Sequence, residues 1–243
     1  MVLKPGFFAY AFCQLILTLP LAFFVKFKPD EENCTPYVSN LSENKKIIKQ
    51  NNGNYPFKTN DSIFVIVCII SIFTTIPITC MSHYMGFAES VNLINMGSIM
   101  ISATNIANLF FKYVTGFICD KFGNDKGVPF ACITSIIGCL ILIFFYKTEF
   151  MLIIGAFLLG CIFSTQVITS AFIRYIYGDE QYSAVFNAQL VFYGLYGLAN
   201  TIFGYLYDFT KSYIPIFILC CVVLIISLVV YVYAIDKTAK YRK

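Results

Sequence analysis

The sequence predicts an all-α polytopic membrane protein with seven transmembrane helices, the last six forming one bundle of two inverted three-helix repeats. Three observations predict this. Of 243 residues, 58% are hydrophobic and 12% are charged, with a mean hydropathy of +0.75, a balance outside the range of soluble domains. Seven stretches each supply the roughly 20 apolar residues a helix needs to cross a hydrocarbon core, and each must be helical because a spanning backbone has to satisfy its own hydrogen bonds. Across the last six, the polarity of the middles runs polar, polar, apolar, and then repeats.

The first stretch, 6–25, follows Met1 closely but is too long for a signal peptide and lacks a small-residue cleavage site, so it reads as a retained lone helix. Residues 26–61 are polar and without apolar periodicity, a flexible linker. The spans near 62–84, 90–118, 128–146, 150–175, 184–207 and 213–235 then follow with short connections, and 236–243 form a basic tail. Pro77 falls inside the span from 62, after Thr74 and Thr75, whose hydroxyls are placed to relieve the carbonyls it frees. The spans 128–146 and 213–235 carry almost no polar side chain in their middles and read as lipid-facing outer helices, whereas the others carry Ser, Thr, Asn, Gln and Gly.

Orientation follows the basic residues. The side holding 26–61, the turn "DKFGNDKG", Arg174 and the tail collects 13 of the 17 Lys and Arg, against three on the other side, which places the C-terminus and the linker in the cytoplasm. Three N-x-[ST] sequons, at Asn33, Asn40 and Asn60, point the other way, and in an Asn-rich linker the charge asymmetry outweighs them. Ten cysteines, mostly within spans and without a C-x-x-C pair, read as apolar filler. No nucleic-acid signal, nucleophile–base pair or metal-ligand spacing is visible, and the one histidine, His83, lies at a span end. No enzyme, cofactor or metal is therefore expected.

Two motifs support the repeat. "GFICD" (Gly116–Asp120) ends the middle span of the first triplet and "GYLYD" (Gly204–Asp208) that of the second, on opposite faces of the membrane, as an inverted repeat would place them. With Lys121 and Gly123, the first becomes G-x-x-x-D-K-x-G, which resembles the cytoplasmic signature of the major facilitator superfamily, although "NDK" stands where that family usually has a basic pair. The resemblance implies that the chain is a C-terminal half. Its lone helix would be the sixth of twelve, and its partner a missing N-terminal half or a second protomer. Lys112, four residues before the motif glycine, and Asn108, four before that, are similar to the monocarboxylate and oxalate/formate group. No second cation stands in "LVFYGLYGL", which argues against a dicarboxylate.

The residues point the same way by themselves. Lys112 lies eight residues before Asp120, roughly 12 Å inside the helix end, where a charge costs about 2.5–3.5 kcal/mol. Ser98, Ser102, Asn105, Asn108 and Lys112 fall within roughly 120° on a helical wheel, a polar stripe suited to a wet cavity that holds an anion. The competing reading is snorkelling of Lys112 to the headgroups. In 184–207, Gln189, Tyr193, Tyr196 and Asn200 fall within roughly 60°, beside a face of Gly194, Gly197, Thr201 and Gly204 suited to close helix contact. Asp120 is placed to pair with Arg174 or to face a helix N-terminus, locking one gate.

The expectation is a secondary transporter of a small organic anion, a monocarboxylate, with a proton. Lys112 would attract the carboxylate, Asn105, Asn108, Gln189, Tyr193 and Asn200 would orient it, and Gly116, Asp120, Lys121, Gly123 and Arg174 would gate. The rivals are a transporter of another small solute, a seven-helix receptor and a binding protein that does not transport. The long linker and the two-triplet polarity argue against the receptor.

Overall fold

The computed structural model describes residues 62–194 and 196–238, which lie in the compact unit 51–243. The lone helix 1–25, the linker with its sequons and the end of the tail from 239 lie outside the described residues. The described chain is a bundle of helices: α1 Ser62–Thr75, a 3-10 segment Ile76–His83, α2 Tyr84–Ser90, α3 Ile94–Phe122, α4 Gly127–Phe144, α5 Glu149–Leu159, a 3-10 segment Gly160–Ser164, α6 Thr165–Tyr193, α7 Tyr196–Thr210 and α8 Ile214–Thr238. Among the described residues, five stretches are long and apolar enough to cross a membrane: Ile63–Ser90, Ile94–Phe122, Gly127–Phe144, Glu149–Arg174 and Ile214–Ile235.

The first span of each predicted triplet tightens to a 3-10 turn near its middle. In Ile63–Ser90 the cause is local: Pro77 offers no N–H, and the hydroxyls upstream turn back onto their own helix. Ser71 Oγ donates to Val67 O at 2.7 Å, Thr74 Oγ1 to Ile70 O at 2.9 Å, and Thr75 Oγ1 to Ser71 O. The carbonyls that Thr74 and Thr75 reach belong to Ile70 and Ser71, seven and six residues before the proline, and not to Phe73, whose carbonyl the missing N–H would have met. In Glu149–Arg174 the tightening starts at Gly160. A methyl there would meet Ala107 Cβ at 2.7 Å and Thr104 O at 3.0 Å, so α3 lies against bare backbone. The Thr104 hydroxyl donates across the same contact to Ala156 O at 3.1 Å.

The segment 184–207 departs from the single span the sequence predicts. Gly178, at φ 73° and ψ 174°, makes the sharp turn between two helices that run within Thr165–Tyr193. The second of these stops at Tyr193, where Gly194 N–H donates to Val191 O at 3.2 Å and Gly197 N–H to Gly194 O at 3.4 Å before α7 begins. These i→i+3 bonds tighten the backbone by part of a turn. A helical wheel drawn across 189–200 therefore does not hold.

Packing in lipid depends on close backbone contact more than on hydrophobic expulsion. The contact between α4 and α5 shows it: Gly138 faces the backbone of Gly155 to Leu159, and Ser135 Oγ donates to Leu159 O at 3.4 Å. The helix α8 packs on α4 and α1, and its outward residues, Ile218, Val222, Ile225, Val229 and Val232, are all apolar and exposed. Its helix extends three residues beyond the predicted span end at 235. The exposed apolar strip of α3, through Ile106, Leu109, Phe110, Tyr113 and Phe117, is as extensive as those of the two predicted outer helices.

Candidate functional site

A cavity of about 380 Å³ opens among three spans, lined by Thr75 and Ile78, by Phe163 and Gln166, and by Phe186, Leu190 and Tyr193. Ile78 and Phe163 come from the two 3-10 segments, so the sites where the helices tighten are also where the wall opens. Mid-helix 3-10 turns of this kind often mark functional positions.

Behind the wall lies a hydrogen-bonded cluster. Gln189 is fully buried, and its amide donates to Ser71 Oγ, 118 positions away in sequence. The Tyr193 hydroxyl reaches Ser71 and Thr169, and Thr169 Oγ1 donates to Thr165 O at 2.7 Å. The cluster ties α1 to α6 and fixes how Tyr193 stands on the cavity. Gln189 Oε1 finds no partner, and a buried acceptor left in that state costs about 1–3 kcal/mol.

The sequence-predicted residues divide. Tyr193 lines the cavity, whereas Gln189 stands one layer behind it. Asn200 lies beyond the Gly194 turn on α7, partly buried, with Oδ1 unpartnered. Among the described residues, the glycines expected to meet a neighbouring helix do not: nothing lies within 4 Å of a methyl built at Gly197 or Gly204. On α3, Lys112 and Asn108 are partly buried and Asn105 is exposed. Asn108 Oδ1 is also buried without a partner. At 100° per residue, Asn108, Lys112 and Cys119 share a sector of roughly 40°. A methyl at Gly127 would meet both Cys119 Sγ, at 2.5 Å, and Ile168 Cδ1, at 2.9 Å, so this flank of α3 turns toward α6. Gln166, two residues from Ile168, was not singled out in the sequence; as a polar side chain within an apolar span it carried the same signal as Gln189.

At the end of α3, the Gly123 N–H caps the helix by donating to Cys119 O at 2.9 Å, and Gly123 has φ 94° and ψ 151°. Lys121 lies over the rings of Phe117 and Phe122, at 5.7 and 5.5 Å. Asp120 and Arg174 are both exposed. Around Gly116 a methyl would meet nothing within 4 Å, while at Gly127, which the sequence reading passed over, it would strike Cys119.

The sequence pattern that defines the Major Facilitator Superfamily matches residues 62–243. The chain belongs to the Major Facilitator Superfamily. Comparison with curated proteins returned no match. Membership makes this a multi-pass membrane transport protein and accounts for the all-helical fold.

The facilitator's motif turn yields a direct prediction. Gly123 adopts a conformation that is essentially restricted to glycine, and the space around it is open, so Gly123→Ala costs about 1–3 kcal/mol of stability through backbone strain alone. Gly116→Ala, in open space on a regular helix, gains about 0.5–1 kcal/mol. Thermal melts of the purified variants should move in opposite directions; two melts moving together would contradict the assignment.

Proposed function

We propose that the protein carries a small organic anion, a monocarboxylate, together with a proton, by alternating access. The observation that carries this reading is Lys112. It is a partly buried cation about two-thirds of the way along Ile94–Phe122, and the nearest carboxylate on its helix is Asp120, eight residues away. Beside it, one turn earlier, stands the unpartnered Asn108 Oδ1. A carboxylate arriving there offsets the cost of holding an ammonium in the membrane, and Asn108 offers the neighbouring hydrogen bond.

In this reading Lys112 attracts the solute, Asn105, Asn108 and Asn200 orient it, and Tyr193, positioned by Gln189, contacts it across the cavity. The turn containing Gly116, Asp120, Lys121 and Gly123, with Arg174, gates the cytoplasmic end. The facing wall comes from a second six-helix bundle, an N-terminal half or a second protomer, and rocking of one bundle against the other exposes the site to each side in turn.

One observation favours a second reading. The polar side chains on the cavity wall, Thr75, Gln166 and Tyr193, are all neutral, which suits an uncharged solute with a hydroxyl or amide and an apolar portion. Uptake of labelled lactate, pyruvate and formate into proteoliposomes that hold the whole gene product separates the two. Saturable uptake lost in Lys112→Ala and kept in Lys112→Arg is the expected result. Uptake unchanged in Lys112→Ala makes Lys112 a snorkelling residue, and absence of uptake for all three acids turns the search to neutral solutes.

A further inference from the structure

His83, the chain's one histidine, is placed in an unusual setting. The sequence places it at a span end. The structure places it as the last residue of the 3-10 segment Ile76–His83, inside the span Ile63–Ser90. Its Nε2 is buried and has no hydrogen-bond partner. Imidazole nitrogens in folded proteins are ordinarily hydrogen-bonded once they leave water, so the unpaired atom marks a group held ready for something.

What faces it is aromatic. The ring stands edge-on to Phe203 of α7 at 5.7 Å and tilted to Tyr213 at 6.3 Å. Phe203 is fully buried. Tyr213 stacks on Tyr207 at 4.3 Å and lies in the field of Glu89 and Asp208, both exposed. On its own span, Cys80 and Tyr84 flank the histidine and are buried. The exposed cation of this end, Lys211, sits at positive φ in the turn before α8. Two aromatic rings thus face His83, and the charged groups of this end, Glu89, Asp208 and Lys211, are exposed.

We propose that His83 is a proton-binding site that latches α7 to the span Ile63–Ser90, at the end of the bundle opposite the "DKFGNDKG" turn. Proton uptake at the imidazole, His + H⁺ → HisH⁺, places a cation beside the Phe203 and Tyr213 rings. The attraction of the cation to these rings holds the protonated form against α7. Loss of the proton leaves only edge-on packing and the unpaired nitrogen. Among the described residues, the main contacts of α7 are with the 3-10 segment and α8, and the histidine contact belongs to the first of these. Beyond the Gly194 turn, α7 can loosen without disturbing the cluster around Gln189. The proposed transport reading enters only in the use of this proton in the cycle; the latch itself stands without it.

The experiment uses the full chain in lipid nanodiscs with no solute. Histidine labelled with ¹³C at Cε1 gives one imidazole signal, followed from pH 5 to 8.5, and amide exchange of Tyr196–Thr210 is measured at pH 5.5 and 8 after correction for the intrinsic exchange rate. The expected result is a single titration in that window and about tenfold greater protection of α7 at the lower pH, with the pH difference abolished in His83→Gln. An imidazole that stays neutral down to pH 5 overturns the proposal. So does α7 protection that is equal at both pH values in the wild type, or a pH difference that persists in His83→Gln. Because neither readout involves solute or Lys112, failure of the uptake assay and failure of the latch are told apart.

Discussion

Gly138→Ala is expected to weaken the bundle by about 3 kcal/mol, the upper end of the usual range for overpacking. A methyl at 138 would stand 2.5 Å from Leu159 N, 2.7 Å from Gly155 O and 3.1 Å from Leu158 C. All three are backbone atoms of α5 or its continuation and cannot rotate aside as a side-chain end would. Across the contact, a methyl at Gly155 would strike Leu142 at 2.8 Å and Gly138 O at 3.1 Å, so the two helices meet glycine to glycine. Lipid tails are as apolar as the helix surfaces they replace, so this contact is held by close packing, and separating the helices by a methyl also strains the Ser135 bond to Leu159 O. The melting temperature in detergent should fall by roughly 5–10 °C. Gly197→Ala, which meets nothing, serves as the control; an unchanged melt for Gly138→Ala would mean that α4 and α5 are not in backbone contact.

Gln189 should respond in opposite directions to two substitutions. In Gln189→Ala the buried side chain is replaced by a void between α1 and α6, and large-to-small changes in packed interiors cost about 2–5 kcal/mol. In Gln189→Leu the volume is kept and the unpartnered Oε1 is removed, while the Ser71 hydroxyl keeps its bond to Val67 O. Replacing an unsatisfied buried acceptor by an apolar group of similar shape is neutral or stabilising, here by up to about 1 kcal/mol. The Leu variant should melt at or above the wild type and the Ala variant well below it. If both fall equally, Oε1 has a partner after all.

Much of the fold was legible because hydropathy is a property of short stretches. The five long apolar spans are found near their predicted bounds, and Lys112 could be placed deep in a helix by counting from Asp120. The need for glycine at 123 was visible in the motif. The predicted arrangement on 184–207 was not reliable, because a 100° wheel assumes one uninterrupted helix and Gly194 tightens it. For the same reason Tyr193 and Asn200 do not share one regular face, and Gly197 and Gly204 face open space.

The sequence by itself therefore determined that the chain crosses the membrane repeatedly, where it turns and which helix carries an intramembrane cation. These follow from residues near one another in the chain, through transfer free energy and backbone sterics. Only the tertiary structure decided that Gln189 is spent on Ser71, that Gln166 and Phe163 line the cavity with Tyr193, and that His83 faces Phe203 and Tyr213. Those pairings join residues from 27 to 130 positions apart. They depend on how helices cross and how closely their glycines let them approach, quantities that no local pattern records.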